Sequence, residues 1–374
     1  MSIYLDHAAT TPMIEPAIDA MQRSLRKIGN PSSLHTDGRS TRKDVEEARE
    51  VIAAALGCQP SEVIFTGSGT EANNAAVKGL FWAAPEKNLI VVSAIEHHAV
   101  LDPAHWLVEH EGAELIEVPV TSDGVIDCDF LVDLVTRRGS EIALISVMAA
   151  NNETGVIQPI DRVVEIAGDI PVHSDAVQSF MKVPLNYSQL GLFAMTISAH
   201  KIGGPLGIGA LILRRAFEMP ALLHGGGQER EIRSGTLNAP SIVAFATAVT
   251  ESIYNAVTVL SLREKFESGI AEVAPDAQIN GTGVGRLPGI SNITFPGTQA
   301  DFLLLLMDGK EVSCSTGAAC TAGVHRPSHV LMAMGHDEIG ATSSLRFSLG
   351  ATTTVGDIEY ALSVIPEVVA MAKA

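Results

Sequence analysis

Phe193-Ala194-Met195-Thr196-Ile197-Ser198 is an apolar run that leads into Lys201, and Gly203-Gly204-Pro205 follows that lysine. A second apolar run, residues 209–213, comes after the glycines. Short runs of this kind predict strands that are buried on both faces. A lysine at the end of such a strand, in a glycine-lined turn, is a candidate amine nucleophile for carbonyl compounds. Most lysines are solvated surface charges, so the residues around Lys201 have to decide between the two interpretations.

Strand-like and helix-like segments alternate through the first two-thirds of the chain. Helical spacing of apolar residues predicts one helix that begins near Thr11 and stops at Gly29, and a second one that ends at Gly57. Five short apolar runs follow, at residues 63–65, 89–92, 115–118, 142–147 and 171–173. This alternation predicts an α/β fold, with a mainly parallel sheet flanked by helices. We assign residues 15–256 to this large domain.

The pattern changes after about residue 257. A glycine-rich segment at residues 281–285 precedes a strand-like run at 290–295 and a helix-like run at 302–307, and the chain closes with an amphipathic helix. This order predicts a smaller α+β domain, to which we assign residues 1–14 and 257–374.

Composition restricts the classes of protein that the chain can belong to. The 374 residues carry a formal net charge of −18, which argues against a nucleic-acid partner. No stretch reaches the roughly 18 uninterrupted apolar residues of a membrane span, and no signal peptide is visible. Four cysteines without a C-x-x-C pair predict neither a disulfide scaffold nor a zinc motif. A cytoplasmic location is therefore expected.

Gly67-Ser68-Gly69-Thr70-Glu71-Ala72-Asn73 follows a predicted strand and opens a predicted helix. Glycines at such a turn let backbone N–H groups approach a phosphate, and the helix dipole favours an anion there. Thr70 adds a hydroxyl donor. The segment lacks the Walker A ending, but it also fits G-x-G-x-x-A, so a nicotinamide-dinucleotide site stays open as an alternative.

Three further polar residues follow predicted strands. Asp175 comes just past the predicted strand at residues 171–174, where its carboxylate is suited either to capping a helix or to pairing with a protonated pyridine nitrogen. Gln178 lies one helical turn later and can reach the same ligand. His97 follows the run at 89–92 and can stack on a flat ring or carry protons near neutral pH.

A metal site is the alternative for the histidines near residue 100. His98, Asp102 and His105 have the spacing of one helix face. Pro103 interrupts that segment and no H-E-x-x-H pattern is present, so we predict no metal site there.

With these residues in place, the chain resembles the cysteine desulfurases of the NifS/IscS type, which belong to the class V aminotransferase group of fold-type I pyridoxal phosphate enzymes. The resemblance runs nearly from end to end. Seven motifs carry it: Tyr4-Leu5-Asp6-His7-Ala8-Ala9-Thr10-Thr11-Pro12, Gly29-Asn30-Pro31-Ser32-Ser33, Glu96-His97, Asn151-Asn152-Glu153-Thr154-Gly155, Ser198-Ala199-His200-Lys201, His224-Gly225-Gly226-Gly227-Gln228-Glu229-Arg230 and Arg233-Ser234-Gly235-Thr236.

The resemblance implies a role for each matching residue. Lys201 would bind pyridoxal phosphate covalently, with Asp175 on the pyridine nitrogen, Gln178 on the phenolic oxygen and His97 stacked on the ring. The substrate carboxylate would be oriented by Asn152, which also borders the cofactor, and by Arg346. The phosphate would be held by residues from several segments, the last of them contributed by the neighbouring subunit: Gly69, Thr70, Ser198, His200 and Thr236.

Residues 315–323 resemble the loop that carries the persulfide-forming cysteine of these enzymes, and Cys320 stands at that position. Cys314 is the competing thiol, but it lies nearer the apolar segment, where burial is expected. Ala199 and Ala318 depart from residues frequent in the family, and neither change removes a reacting group. The resemblance therefore implies attack by the Cys320 thiolate on the sulfur of L-cysteine, with release of alanine.

The predicted protein is a homodimeric pyridoxal phosphate enzyme that passes sulfur to an acceptor protein, for iron–sulfur cluster assembly or for thiolation of cofactors or tRNA. A selenocysteine lyase or an aminotransferase of the same fold is the near alternative. A nicotinamide-dependent oxidoreductase and a catalytically silent sulfur carrier are the distant ones.

Overall fold

The computed structural model describes residues 2–317 and 327–373. Its strands, in chain order, are β1 (Ile3–Tyr4), β2 (Val63–Thr66), β3 (Leu89–Ser93), β4 (Glu114–Val118), β5 (Ile142–Ser146), β6 (Val172–Asp175), β7 (Ala194–Ser198), β8 (Gly209–Leu213), β9 (Gln278–Ile279), β10 (Ile290–Thr294), β11 (Val312–Ser313) and β12 (Ser344–Ser348).

The helices cover most of the remaining chain. They are α1 (Glu15–Leu25), α2 (Thr36–Leu56), α3 (Gly69–Trp82), α4 (His98–Glu111), α5 (Cys128–Arg138), α6 (Ile160–Ala167), α7 (Tyr187–Leu190), α8 (Ala239–Thr250), α9 (Ala256–Val273), α10 (Ala300–Gly309), α11 (His329–Ala333), α12 (Glu338–Ala341) and α13 (Val355–Ala372).

The central sheet has seven strands in the order β2-β8-β7-β6-β5-β3-β4. Within the described residues, β8 runs antiparallel to both of its neighbours, and the other strand pairs of this sheet are parallel. Most of these strands are buried along their whole length, because helices cover both faces of the sheet. The predicted α/β fold with a mainly parallel sheet is confirmed.

A second group of elements has its own apolar core. β10 pairs antiparallel with β12 and β9, and the short β1 pairs in parallel with β11. Helices α9, α10 and α13 pack on these strands around Phe266, Phe347 and Ile365. The chain joins this group to the large sheet through its first residues, since His7 N donates to Ser348 O at 3.1 Å and Thr11 N to His200 O at 3.0 Å.

The first helix differs from the prediction. α1 begins at Glu15 rather than near Thr11, and it ends at Leu25 rather than at Gly29. The reason lies far along the chain, since Thr11 N and Ile14 N donate to backbone carbonyls of the segment around Lys201. These bonds keep residues 11–14 extended, although Pro12 suits the first turn of a helix. The predicted end of α2 is confirmed, with Gly57 in the left-handed conformation (φ 66°).

Helix α4 also differs from the prediction, because it continues through Pro103 instead of being interrupted there. Val100, Ala104 and Leu107 are fully buried against α3 and the sheet. Their burial outweighs the backbone hydrogen bond that proline cannot make.

Candidate active site

The site lies where the central parallel strands end. β6 ends at Asp175, and β7 ends at Ser198, from which one short 3-10 turn leads to Lys201. The two strands are neighbours in parallel register, with Asp175 opposite Thr196. The carboxyl ends of parallel strands share one edge of a sheet, and the topology therefore brings a carboxylate and an amine from distant parts of the chain to one crevice.

The amine of Lys201 is turned inward, toward the N-terminal segment. Its Nζ donates to the carbonyl oxygens of Ala8 at 2.6 Å and Ala9 at 2.8 Å. Burial and the nearby Arg346 lower the pKa of Lys201 to about 8, while Asp175 opposes this shift. An amine of this pKa is neutral in about one-tenth of the molecules at pH 7, far more than an ordinary lysine, and a nucleophile has to be neutral.

A cavity of about 250 Å³ opens beside Lys201. It brings together most of the residues predicted for the site. Those that line it are Gly69, Thr70, His97, Asn152, Asp175, Gln178, Ser198, His200 and Lys201.

Asp175 is a buried carboxylate (6% exposed) without a positively charged hydrogen-bond partner in the described part of the chain. Oδ2 accepts from Asn73 Nδ2 at 2.6 Å, and Oδ1 accepts from Val177 N at 2.9 Å. A buried carboxylate that faces a cavity with only neutral donors is suited to a ligand that brings a positive charge. A protonated pyridine nitrogen meets this requirement.

The N-terminus of α3 forms another wall of the cavity. Ser68 caps the helix, its Oγ accepting from Glu71 N at 3.0 Å, and Ser68, Gly69 and Thr70 line the cavity. A Cβ atom on Gly69 would lie 2.9 Å from Val177 Cγ2, which explains the glycine at this close approach. The end of the cavity near Gly69 and Thr70 is thus suited to a phosphate.

Two histidines border the cavity from different elements. His97 caps α4, and its Nδ1 accepts from Ala99 N at 3.0 Å, which leaves the ring proton on Nε2 in the neutral form. Burial lowers the pKa of His97. His200 Nδ1 lies 3.3 Å from Thr10 Oγ1, and burial together with Lys201 lowers the pKa of His200 to about 4. Both rings are therefore mainly neutral at pH 7.

Arg346 reaches the same region from β12. Its Nη2 lies 2.8 Å from Asp6 Oδ1, and its Nη1 donates to Asn152 O at 3.0 Å. Its buried Nε has no hydrogen-bond partner within residues 2–317 and 327–373. Such an orphaned donor on a buried guanidinium fits a site that receives an anion such as a carboxylate.

Two of the predicted residues, Arg346 and Thr236, do not line the cavity, although Arg346 contacts the lining residue Asn152. Thr236 is exposed and lies outside the lining of the cavity. Cys320 falls outside the described residues, so the structure says nothing about its surroundings. The competing thiol, Cys314, is buried as predicted, and burial raises its pKa to about 12, which makes it a poor nucleophile.

Asn73 and Asp6 were missed by the sequence analysis. Asn73 lies one helical turn after Gly69, within the quoted glycine motif, and that spacing could have indicated a contact with the same ligand. Asp6 lies in a quoted motif too, but its contact with Arg346 joins residues 340 positions apart. No local pattern predicts such a pair.

The α/β fold and the cavity beside Lys201 can be compared with those of known protein families. Residues 3–361 match the family described as aminotransferase class-V. The match covers nearly the whole chain, and the chain belongs to this family.

Individual relatives give a more specific comparison than the family does. The chain is 48% identical to an IscS-like cysteine desulfurase of Mycobacterium tuberculosis, over 99% of this chain and 97% of the relative. Among solved structures, it superposes on a NifS-like protein with a TM-score of 0.91 and 35% identity, covering 99% of this chain and 100% of the other. It also superposes on SspA in complex with cysteine, with a TM-score of 0.84 and 33% identity, over 95% and 100% of the two chains.

Proposed function

We propose that this protein is a pyridoxal phosphate-dependent cysteine desulfurase. The observation that carries the proposal is the cavity beside Lys201, in which a buried carboxylate, an amine of lowered pKa and a helix N-terminus face one another. The names of the relatives support the same reaction. Membership of the family alone would fit several reactions of amino acids.

The residues of the cavity fit pyridoxal phosphate at each end of the molecule. Lys201 would supply the amine that binds the aldehyde, and Asp175 would hold the proton on the pyridine nitrogen. The α3 N-terminus with Gly69 and Thr70, together with Ser198 and His200, would hold the phosphate. His97 would pack against the ring, and Gln178 would donate to the phenolic oxygen. The bound cofactor supplies an electron-withdrawing ring that stabilises negative charge on the substrate carbon atoms.

The other roles belong to the substrate side of the site. Arg346 would bind the carboxylate of L-cysteine through the donor that Asp6 and Asn152 leave free, and Asn152, which lines the cavity, would help to orient it. The amine of Lys201 would also move the proton at the α-carbon of the substrate.

Cys320 is the sulfur acceptor in this proposal. Its thiolate attacks the sulfur of cysteine, so that the carbon–sulfur bond breaks and a sulfur–sulfur bond forms on the enzyme. A proton returns to the β-carbon, and the products are alanine and a persulfide on Cys320. The persulfide then passes sulfur to a thiol of an acceptor protein, in a reducing compartment such as the cytoplasm. In the described residues, no helix has the length and apolar character that crossing a bilayer requires.

The test is incubation of the protein with L-cysteine, followed by mass analysis of its peptides. We expect one additional sulfur on the Cys320 peptide and release of alanine. Cys314→Ala is the matched control and should leave both results unchanged, because that thiol is buried. Sulfide production that survives Cys320→Ala would instead indicate a lyase of the same fold, and conversion of cysteine to a keto acid without loss of sulfur would indicate an aminotransferase.

A further inference from the structure

The side-chain amide of Gln178 lies between two lysines. Its Nε2 donates to Ala8 O at 2.8 Å, the same carbonyl oxygen to which Lys201 donates at 2.6 Å. Its Oε1 accepts from Lys182 Nζ at 3.2 Å. The amide nitrogen therefore faces the Lys201 side, and the amide oxygen faces Lys182.

These two contacts determine the orientation of the Gln178 side-chain amide. The nitrogen and oxygen of a glutamine amide can exchange places with little change of shape, so only hydrogen bonds distinguish the two orientations. In its ammonium form, Lys182 has donors only, and it can bind the oxygen alone. The carbonyl of Ala8 accepts only, and it can bind the nitrogen alone. Both partners select the same orientation, which leaves the second N–H of Gln178 for the cavity.

Lys182 occupies surroundings that an ordinary surface lysine avoids. It lines an apolar cavity of about 460 Å³ that also reaches His7 and Lys201. Within the described residues, Gln178 Oε1 is the one hydrogen-bond acceptor of its amine.

The charges around Lys182 are of like sign. Burial lowers the pKa of Lys182 to about 7, and repulsion of its ammonium group by Lys201 and Arg346 adds to this shift. Lys182 in turn lowers the pKa values of His7 and His200. The nearby carboxylates, Asp6 and Asp175, act on Lys201. Placing a protonated amine among other cations costs free energy of folding. The hydrogen bond from Lys182 to Gln178 is the contact that this unfavourable placement makes possible.

We propose that Lys182 is a positioning residue, which holds the amide nitrogen of Gln178 toward the phenolic oxygen of the cofactor. The inference rests on the proposed function, because it assumes pyridoxal phosphate in the cavity beside Lys201. An amide nitrogen donates to that oxygen and stabilises its negative charge, whereas an amide oxygen repels it. When the phenolate is stabilised, it attracts less strongly the proton on the nitrogen that joins Lys201 to the cofactor. This proton is then lost at a lower pH.

The proposal predicts a change in a spectrum. Lys182→Met keeps the length and the packing of the side chain but removes the donor to Gln178. We expect the pH midpoint of the visible absorbance of the cofactor-loaded protein to rise by about one pH unit, since one hydrogen bond to a charged oxygen is lost. Lys182→Arg keeps a donor and should shift the midpoint much less. Circular dichroism and the amount of bound pyridoxal phosphate check that each variant is folded and loaded.

A double-substitution cycle separates positioning from the direct effect of a positive charge. If Lys182 acts through Gln178, then Lys182→Met should produce almost no further shift in a Gln178→Leu background. An equal shift in both backgrounds would show that the charge of Lys182 acts directly, and it would overturn the proposal. No shift in Lys182→Met alone would overturn it as well. Wild-type protein that stays colourless with pyridoxal phosphate would instead contradict the proposed function itself.

Discussion

At the scale of single residues, the ionisation of Lys201 controls how the protein takes up its cofactor. Burial and the positive charge of Arg346 destabilise the ammonium form of Lys201, which lowers its pKa. Two backbone carbonyl oxygens accept hydrogen bonds from its amine and hold it in place. Only the neutral amine attacks an aldehyde. The rate of cofactor capture therefore reports the pKa of this group directly.

We predict that the capture rate rises with pH and levels off near pH 8. Below that value, each pH unit should raise the rate by about tenfold, because the fraction of neutral amine grows in this proportion. The measurement is the appearance of visible absorbance after pyridoxal phosphate is mixed with cofactor-free protein at a series of pH values. Lys201→Arg, which lacks a primary amine, is the control without covalent capture. A rate that keeps rising to pH 10 would show that the burial of Lys201 does not lower its pKa.

At the scale of elements, a buried ion pair attaches the loop before Thr236 to the large sheet. Glu229 Oε1 accepts from Arg49 Nη2 at 2.7 Å, and Oε2 accepts from Phe65 N at 2.7 Å on the outer edge of β2. The next two residues, Arg230 and Glu231, have positive φ values of 54° and 60°. Glu229 thus anchors a strained turn, and it also pairs an edge strand that would otherwise be open.

Glu229→Gln is expected to lower the free energy of unfolding by about 3 kcal/mol, since it removes the buried carboxylate that pairs with Arg49 and leaves this guanidinium only the more exposed Glu46. The matched control is Glu165→Gln, which breaks the exposed pair with Arg162 and should cost about 0.5 kcal/mol or less. Urea unfolding curves of the two variants provide the comparison. Equal costs would mean that the buried pair contributes no more than a surface one.

The division of the chain into domains belongs to the same scale and stays a proposal. Helix α8 packs its buried residues on the core of the large sheet, whereas α9 packs on the core around Phe266. The connection between these helices lies at residues 251–255, next to the proposed boundary at 256. Separate cores on the two sides of this connection support the assignment of residues 15–256 to one domain and of residues 1–14 and 257–374 to the other.

At the scale of the whole molecule, the position of Thr236 favours a homodimer. This residue is exposed and lies outside the cavity, although the resemblance assigns it to the phosphate. Large apolar side chains are exposed on the same chain at Leu25, Ile28 and Leu206. A second copy that covered such side chains could supply Thr236 to the cavity of its neighbour.

Mixed dimers test this arrangement. A dimer of one Lys201→Ala chain and one Thr236→Ala chain should contain one intact site. In that site, the unchanged Lys201 of one chain lies with the unchanged Thr236 of the other. We expect about half of the wild-type activity and wild-type affinity for pyridoxal phosphate, measured on dimers isolated by two different tags. The Lys201→Ala homodimer should be inactive. Mixed dimers whose affinity matches that of the Thr236→Ala homodimer would indicate that Thr236 acts within its own chain.

Much of the fold could be predicted because its signals are local. Short apolar runs such as those of β3 and β5 are buried on both faces, and Gly57 ends α2 by its own conformation. The start of α1 could not be predicted, because bonds to the carbonyls of His200 and Gly203 hold the preceding residues extended. The prediction that Pro103 interrupts its helix was wrong for a similar reason, since this helix is stabilised by burial that the local sequence does not show.

The sequence by itself determined the strands, the order of the elements and the residue types of the site, because apolar periodicity and motif spacing are properties of neighbouring residues. The tertiary structure alone decided which groups meet: Asp175 with Asn73, Arg346 with Asp6, and Lys182 with the amide of Gln178 beside Lys201. Two of these contacts join residues more than a hundred positions apart. Their geometry, and the lowered pKa of Lys201, arise from burial that exists only after the strands and helices have packed.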